Sequence, residues 1–362
     1  MNGKRLNLAL QGGGSHGAYS WGVLDRLLEE EDVELHGVSG TSAGAMNAIV
    51  LANGYRAGGR QGAKVALDRF WREVNALGCI YSPFKSTPFD AWMQSWNIDS
   101  TVSYQVFEIM VRIFSPYQYN PFNLNPLRSL LAEQIDWKRI NAGGAVPVFI
   151  TATSVRTGRP RVFRCHEVTA DAVLASACIP FYFQTVDVDN EPYWDGGYMG
   201  NPSIWPLIYY TELKDILLVQ INPLSRDETP MQANEIINRM NEITFNSSLI
   251  AEMRAIDFVS RLIDENRLDE KKYKRINMHM IPAPSLEYHL NASSKLNTDM
   301  AFLEFLHDKG WAAADAWIKE HKDAIGVSGS IDIAETFLGR HRTTTTPSRV
   351  EDTFRVGKRA AS

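Results

Sequence analysis

The chain reads as an α/β protein built on a central, mainly parallel sheet, and three stretches predict this. The apolar run Leu6 to Leu10 leads into Gly12-Gly13-Gly14 and then into a helical pattern. The run "LHGVS" leads in the same way into Gly40-Thr41-Ser42-Ala43-Gly44 and an alanine-rich helix. A third run, "DILLVQIN" from Asp215 to Asn222, is the strongest later strand. Short, continuous apolar runs suit strands buried on both faces. Repetition of strand, turn and helix implies parallel pairing through right-handed crossovers.

From Ala18 to Glu30, Trp21, Leu24, Leu27 and Leu28 recur at helical spacing. The helix after the serine turn is expected to stop at Asn53-Gly54, a C-terminal stop signal. From about 77 to 125 the chain is dense in Pro, Phe, Tyr and Trp, with "YQVFEIMVRIF" as a helix within it. This segment reads as a helical, aromatic insertion over the sheet edge, either plain packing or an apolar substrate-contact surface. Then "VPVFITATS" and "RPRVFRC" read as strands joined by a turn at Thr157-Gly158. "TADAVLASA" reads as a short helix with Thr169 as N-cap and Asp171 in its first turn.

The strand-like "FQTVDVDN" precedes "EPYWDGGYMGNPS". Residues 232–265 form a long amphipathic helix, with Ile236, Met240, Ile243 and Leu249 marking the expected apolar side. "RINMHMIP" is a late strand, and 299–320 a further helix. Residues 1–340 are expected to form one domain, with 341–362 a polar, disordered tail.

The 362 residues carry a net charge of -5, which gives no electrostatic footprint for nucleic acid. Three cysteines, Cys79, Cys165 and Cys178, form no C-x-x-C pair and fit a reducing compartment. The N-terminal apolar run is too short for a signal peptide, and no run approaches the ~20 residues of a membrane span. A cytoplasmic location is expected. No H-e-x-x-H-like ligand spacing occurs, so neither metal nor cofactor is expected.

Gly40-Thr41-Ser42-Ala43-Gly44 is a G-x-S-x-G sequence between a strand and a helix. Its glycines permit a turn tight enough to expose the Ser42 hydroxyl, and amides at the helix start can face a developing oxyanion. Gly12, Gly14 and Gly17 also fit a dinucleotide G-x-G-x-x-G loop. That reading wants an acid closing the second strand, but Glu34 stands before it, and the serine turn would go unexplained. Amides of Gly13 and Gly14, placed beside Ser42 as an oxyanion hole, account for both turns together.

The serine needs a base. His279 and His289 come late enough for a Ser–Asp–His order, but His279 reads as a core strand residue and His289 as surface. Asp195, between Trp194 and the pair Gly196-Gly197, is the other candidate. Desolvation by the tryptophan would raise its pKa toward that of a useful base.

The ordered set G-G-G-x-x-G, G-x-S-x-G and D-G-G resembles the patatin-like phospholipase family, and the likeness extends over about residues 6–225. It implies a three-layer fold with a mainly parallel sheet and a Ser–Asp dyad, Ser42 as nucleophile and Asp195 as base. It implies Gly12, Gly13 and Gly14 as the oxyanion loop, with Ala43 assisting, and lipid acyl esters as substrates. Family members often carry Arg or Lys in the glycine loop, where this chain has His16. That residue is read either as orienting the loop or as an auxiliary acid. Acyl transfer, hydrolysis of non-phospholipid esters and lipid binding without turnover are the alternatives. Trp92, Trp96, Phe114 and Phe122 are the candidates for transient membrane contact.

Overall fold

The computed structural model describes residues 3–81, 96–99, 101–142, 146–282 and 290–340. His289, Trp92 and the expected tail 341–362 lie outside the described residues.

The strands are β1 (Lys4–Leu10), β2 (Val33–Gly40), β3 (Val148–Ser154), β4 (Pro160–Arg164), β5 (Val186–Val188), β6 (Glu191–Asp195), β7 (Asp215–Val219) and β8 (Asn277–Ile281). The hydrogen-bonded path through the sheet is β5-β6-β3-β2-β1-β7-β8, with β4 also paired to β3. From β3 through β8 the pairs along this path are parallel, while β4 and β6 run antiparallel to β3. The expected hairpin at Thr157-Gly158 joins β3 to β4.

Side chains alternate across the central strands, and each face is covered. On one face Leu6, Leu8, Leu10, Leu217 and Val219 pack with α1 (Gly17–Glu29), α2 (Ala43–Tyr81) and the long late helix α10 (Met300–His321). On the other, Ala9, Ile216 and Leu218 pack with α8 (Trp205–Tyr210), α9 (Ala233–Asp264) and α11 (Ile333–Leu338). The result is a helix–sheet–helix sandwich of three layers. The remaining helices are α3 (Val102–Ile113), α4 (Pro116–Tyr119), α5 (Pro126–Gln134), α6 (Trp137–Asn141) and α7 (Ala170–Ser176). The Thr169 hydroxyl caps α7, accepting from the Ala172 amide at 3.2 Å.

Four expectations need correction. Helix α2 does not stop at Asn53-Gly54; it runs on to Tyr81, broken instead at Gly58 and Gly59, whose backbone angles are non-helical. Gly54 packs against the second limb, where Gly62 O would lie 2.6 Å from a Cβ, so its small size serves close packing. The segment at 77–81 is therefore helix, and residues 82–95 of the expected insertion lie outside the described residues. Glu34 lies inside β2 rather than before it, at the end remote from the serine turn. Trp96 is not a surface residue: it is buried, with its ring 5.3 Å from those of Phe302 and Phe305. Finally, Ile236, Met240 and Ile243 are exposed, and only Leu249 of that set is buried. Among the described residues no helix is long and apolar enough to cross a membrane.

Candidate active site

The sheet register brings the two ends of the site together. On β3, Ile150 pairs with both Gly40 of β2 and Phe163 of β4, while Ala152 pairs with both Asp195 of β6 and Arg161 of β4. Since β4 occupies one edge of β3 throughout, β2 and β6 must share the other. Asp195 therefore enters in line with β2, two residues beyond the point where β2 ends and turns through Ser42.

That turn is strained. Ser42 has φ +54°, a left-handed conformation that non-glycine residues seldom adopt. The strain presents its side chain at the head of α2, and the Ser42 amide donates to Ser176 Oγ at 2.9 Å. The glycine loop presses on it from β1: a Cβ on Gly12 would lie 2.6 Å from the Ser42 Cβ, so only glycine fits there.

A set of buried polar contacts locks the loop after Asp195 to both turns. Thr41 Oγ1 donates to the Gly200 carbonyl and Ser39 Oγ to the Ser203 carbonyl, each at 2.6 Å. Asn201 Oδ1 accepts from the Gly12 amide at 2.7 Å. Gln11, fully buried, accepts from the Ile221 and Asn222 amides and donates to the Asn201 carbonyl and to Asn246 Oδ1. This network fixes the spacing of serine, acid and glycine loop to one another.

Asp195 is fully buried. Burial pushes its pKa up to about 7, against the opposing pull of the Gly197 amide, the Ser42 hydroxyl and the Lys295 charge. The Gly197 N–H donates to Oδ1 at 2.7 Å, and Oδ2 has no hydrogen-bond partner among the described residues. Serine and acid thus face each other closely enough to interact without a fully formed hydrogen bond, as is common before substrate binds. The desolvation does not come from Trp194, which strand alternation sends to the opposite face of β6. Phe245 of α9 closes on Gly197, and Phe245 and Tyr198 line the cavity that holds the acid.

Gly12, Gly13, Gly14, His16, Ser42 and Asp195 line one cavity, and Ala43 begins the helix beside it. Gly17 opens α1, and Gly40 and Gly44 flank the serine on β2 and α2, while Gly196 and Gly197 follow the acid. One expectation shifts in detail. The Gly12 amide is already taken by Asn201, so it has no proton to offer an oxyanion. The amides of Gly13, Gly14 and Ala43 have no such partner among the described residues.

His16 is buried, bonded through Nε2 to Ser294 Oγ at 2.8 Å and set edge-on to Phe302. Burial, then the Lys295 charge, holds its pKa down at about 3. A ring kept neutral in this way is poorly suited to serve as an acid, and its contacts tie the glycine loop to the later segment. His279 is a core residue, with Nε2 3.1 Å from Asp215 Oδ1, and has no place in the site.

Sequence reasoning missed Gln11, Asn201, Asn222, Glu242, Phe245 and Lys295. The quoted "GNP" held a signal for Asn201. The residues of α9 and of the segment around Lys295 come from the last third of the chain, where no motif marks them.

A deep cleft at the carboxyl ends of a parallel sheet, holding a strained serine and a desolvated acid, defines the class as an α/β enzyme with a nucleophile-type turn. The patatin-like phospholipase model matches residues 8–208, more than half of the chain, and the chain belongs to that family. It is a lipid ester hydrolase by class. Among solved structures, VipD from Legionella pneumophila is similar over 93% of this chain and 73% of its own, at 14% identity and a TM-score of 0.38. The ExoU–SpcU complex of Pseudomonas aeruginosa is similar over 90% of this chain and 61% of the matched one, at 17% identity and a TM-score of 0.30. None of the curated proteins compared matches the chain.

Proposed function

We propose that this protein hydrolyses fatty acyl esters of phospholipids or lysophospholipids through Ser42 and Asp195. The observation that carries the reading is the pairing of a left-handed Ser42 with a buried carboxylate whose pKa stands at about 7 and whose free oxygen has no other partner. A base poised near neutrality can both take and return a proton.

In this reading Asp195 takes the Ser42 hydroxyl proton as Oγ attacks the ester carbonyl. The amides of Gly13, Gly14 and Ala43 stabilise the tetrahedral oxyanion, each donor contributing roughly 3 kcal/mol. Collapse breaks the bond to the alcohol, which leaves with the proton from Asp195. A water then gives its proton to Asp195 and attacks the acyl-enzyme. The second collapse releases the fatty acid and returns the proton to Ser42. The cavity suits such a substrate, since its lining combines apolar groups of Ile179, Phe181, Tyr198 and Phe245 with polar groups of Asn222, Asn241 and Lys295.

The substrate lies in a lipid surface, and the same reading gives it a route. Through Ile109 and Ile237, helices α3 and α9 line a second cavity, which shares Phe181 and Tyr182 with the first, and the same helices expose Val102, Val106 and Ile113 and Ile236, Met240 and Ile243. Phe114 and Phe122 are exposed on the same insertion. We assign this rim to transient contact with the lipid surface.

The test is fatty acid release from defined phospholipid, lysophospholipid and monoacylglycerol. Ser42→Ala and Asp195→Asn are each expected to lower kcat by at least a thousandfold while the fold and the melting temperature survive. An active Asp195→Asn enzyme would sink the dyad. Labelling of Ser42 by an organophosphate probe, with no ester hydrolysed, would point to acyl transfer.

A further inference from the structure

We propose that Lys295 binds the phosphate of the substrate's headgroup and so sets a preference for phosphate-bearing acyl esters over neutral ones. This rests on the hydrolase reading above and adds to it a specificity-determining residue outside the three motifs.

Lys295 lines the same cavity as Ser42, Asp195 and the glycine loop. Its Nζ donates to Asn222 Oδ1 at 2.7 Å, and the Asn222 side-chain amide donates onward to the Gly12 carbonyl at 2.9 Å. One amide group therefore separates the ammonium from the loop that faces the ester. The Lys295 backbone sits equally close, since its carbonyl would lie 2.4 Å from a Cβ on Gly14. The neighbouring Ser294 holds His16, so the ammonium is carried on a segment tied to the loop at two points.

The charge around it is unbalanced toward cation. Glu242 lines the cavity beside Lys295, but its carboxylate is engaged by Arg226 through two contacts and by Arg239 at 3.2 Å. Three cations thus share Glu242, and the remaining acid, Asp195, is half-protonated near neutrality. Burial holds the lysine pKa below its ordinary value, with Glu242 and Asp195 pulling against that and the Arg226 charge adding to it. An anion entering this end of the cavity would complete the balance that Glu242 leaves short. The amides of Asn238 and Asn241 line the same cavity and offer further donors to phosphate oxygens. A phosphodiester one glycerol away from the reacting ester is the anion such an arrangement fits.

The experiment compares Lys295→Met with wild type on lysophosphatidylcholine and on monoacylglycerol of the same acyl chain, presented in the same detergent micelles. Because the Lys295 charge also acts on Asp195, both substrates are expected to slow, with the loss in kcat/KM at least tenfold larger on the lysophospholipid than on monoacylglycerol. Lys295→Arg should retain most of the preference. Equal losses on both substrates would overturn the proposal and make Lys295 a support of the glycine loop. No loss on either would also overturn it.

A readout that needs neither turnover nor a variant is calorimetric binding of octyl phosphate and octanol to the wild-type protein. Octyl phosphate is expected to bind at least tenfold more tightly, and equal affinities would refute the phosphate site even if Lys295→Met failed to fold. If wild type hydrolyses neither lipid, the hydrolase reading falls, while this binding comparison still decides the role of Lys295.

Discussion

Asp195 is where a single side chain does the most. Its folded-state pKa of about 7 lies well above the ordinary aspartate value of 3.8. As the proposed base it must be ionised, so kcat/KM should fall about tenfold for each pH unit below 7 and level off above it. A profile whose acid limb lies near pH 4 would mean that the carboxylate is not desolvated as described. The same shift has a cost in stability. Between pH 3.8 and 7 the folded state holds a proton that the unfolded state has released, so the contribution is full below about pH 4 and lost as pH rises through 7. Asp195→Asn lacks this loss. It should match wild type in stability near pH 4 and exceed it by on the order of 4 kcal/mol at pH 8, measured by urea unfolding. An inactive variant more stable than its parent is a signature that a merely structural aspartate would not give. Glu252, half-buried on α9 and accepting from the Ile204 and Trp205 amides, is raised to about 7 by desolvation as well, so wild type should lose stability over the same interval even apart from Asp195. At this scale Ser42 stood out in the sequence because a strained turn demands glycine close on either side, and Asp195 because two glycines follow it. Gln11 and Asn201 were not, because a buried amide that satisfies backbone groups looks, in one dimension, like any polar residue.

At the scale of elements, the strands were legible wherever apolar residues ran without interruption, as in Leu6 to Leu10 and Asp215 to Val219. The boundaries of α2 were not. Asn53-Gly54 has the composition of a helix stop, yet the chain spends that glycine on close packing and breaks five residues later. Gly59 there adopts φ 61° and ψ -148°, a region that side chains exclude. No atom lies within 4 Å of a Cβ placed on it, so the whole cost of Gly59→Ala would be backbone strain. That cost should be about 1–3 kcal/mol, seen as a lower melting temperature with kcat unchanged. An unaltered melting temperature would show that the two limbs of α2 meet elsewhere. The helical spacing in α9 was equally deceptive. Ile236, Met240 and Ile243 keep the period of a buried face, and the first half of the helix nevertheless leaves them in water. Periodicity identifies a helix and its apolar side, but it cannot tell a face that meets protein from one left exposed.

Taken as one object, the molecule divides its labour along the chain. The first two thirds supply serine, acid and glycine loop. The last third adds Phe245, Glu242 and Lys295 to the lining of the same cavity, and half of the apolar rim. Rows of Val and Ile on α3 and α9 face solvent on either side of the route to Ser42, an arrangement that costs solubility and serves a soluble substrate poorly. If the rim meets lipid, charge placed on it should harm only catalysis at an interface. Ile109→Glu together with Ile237→Glu is expected to lower activity on phospholipid vesicles at least tenfold and to weaken sedimentation with them. Hydrolysis of a soluble short-chain ester such as p-nitrophenyl butyrate should stay within twofold, since neither residue lines the cavity of Ser42. The melting temperature should hold or rise, because both side chains are already exposed. Parallel loss on both substrates would place the effect in the active site itself. Unchanged activity on vesicles would leave the two rows as a contact for something other than lipid.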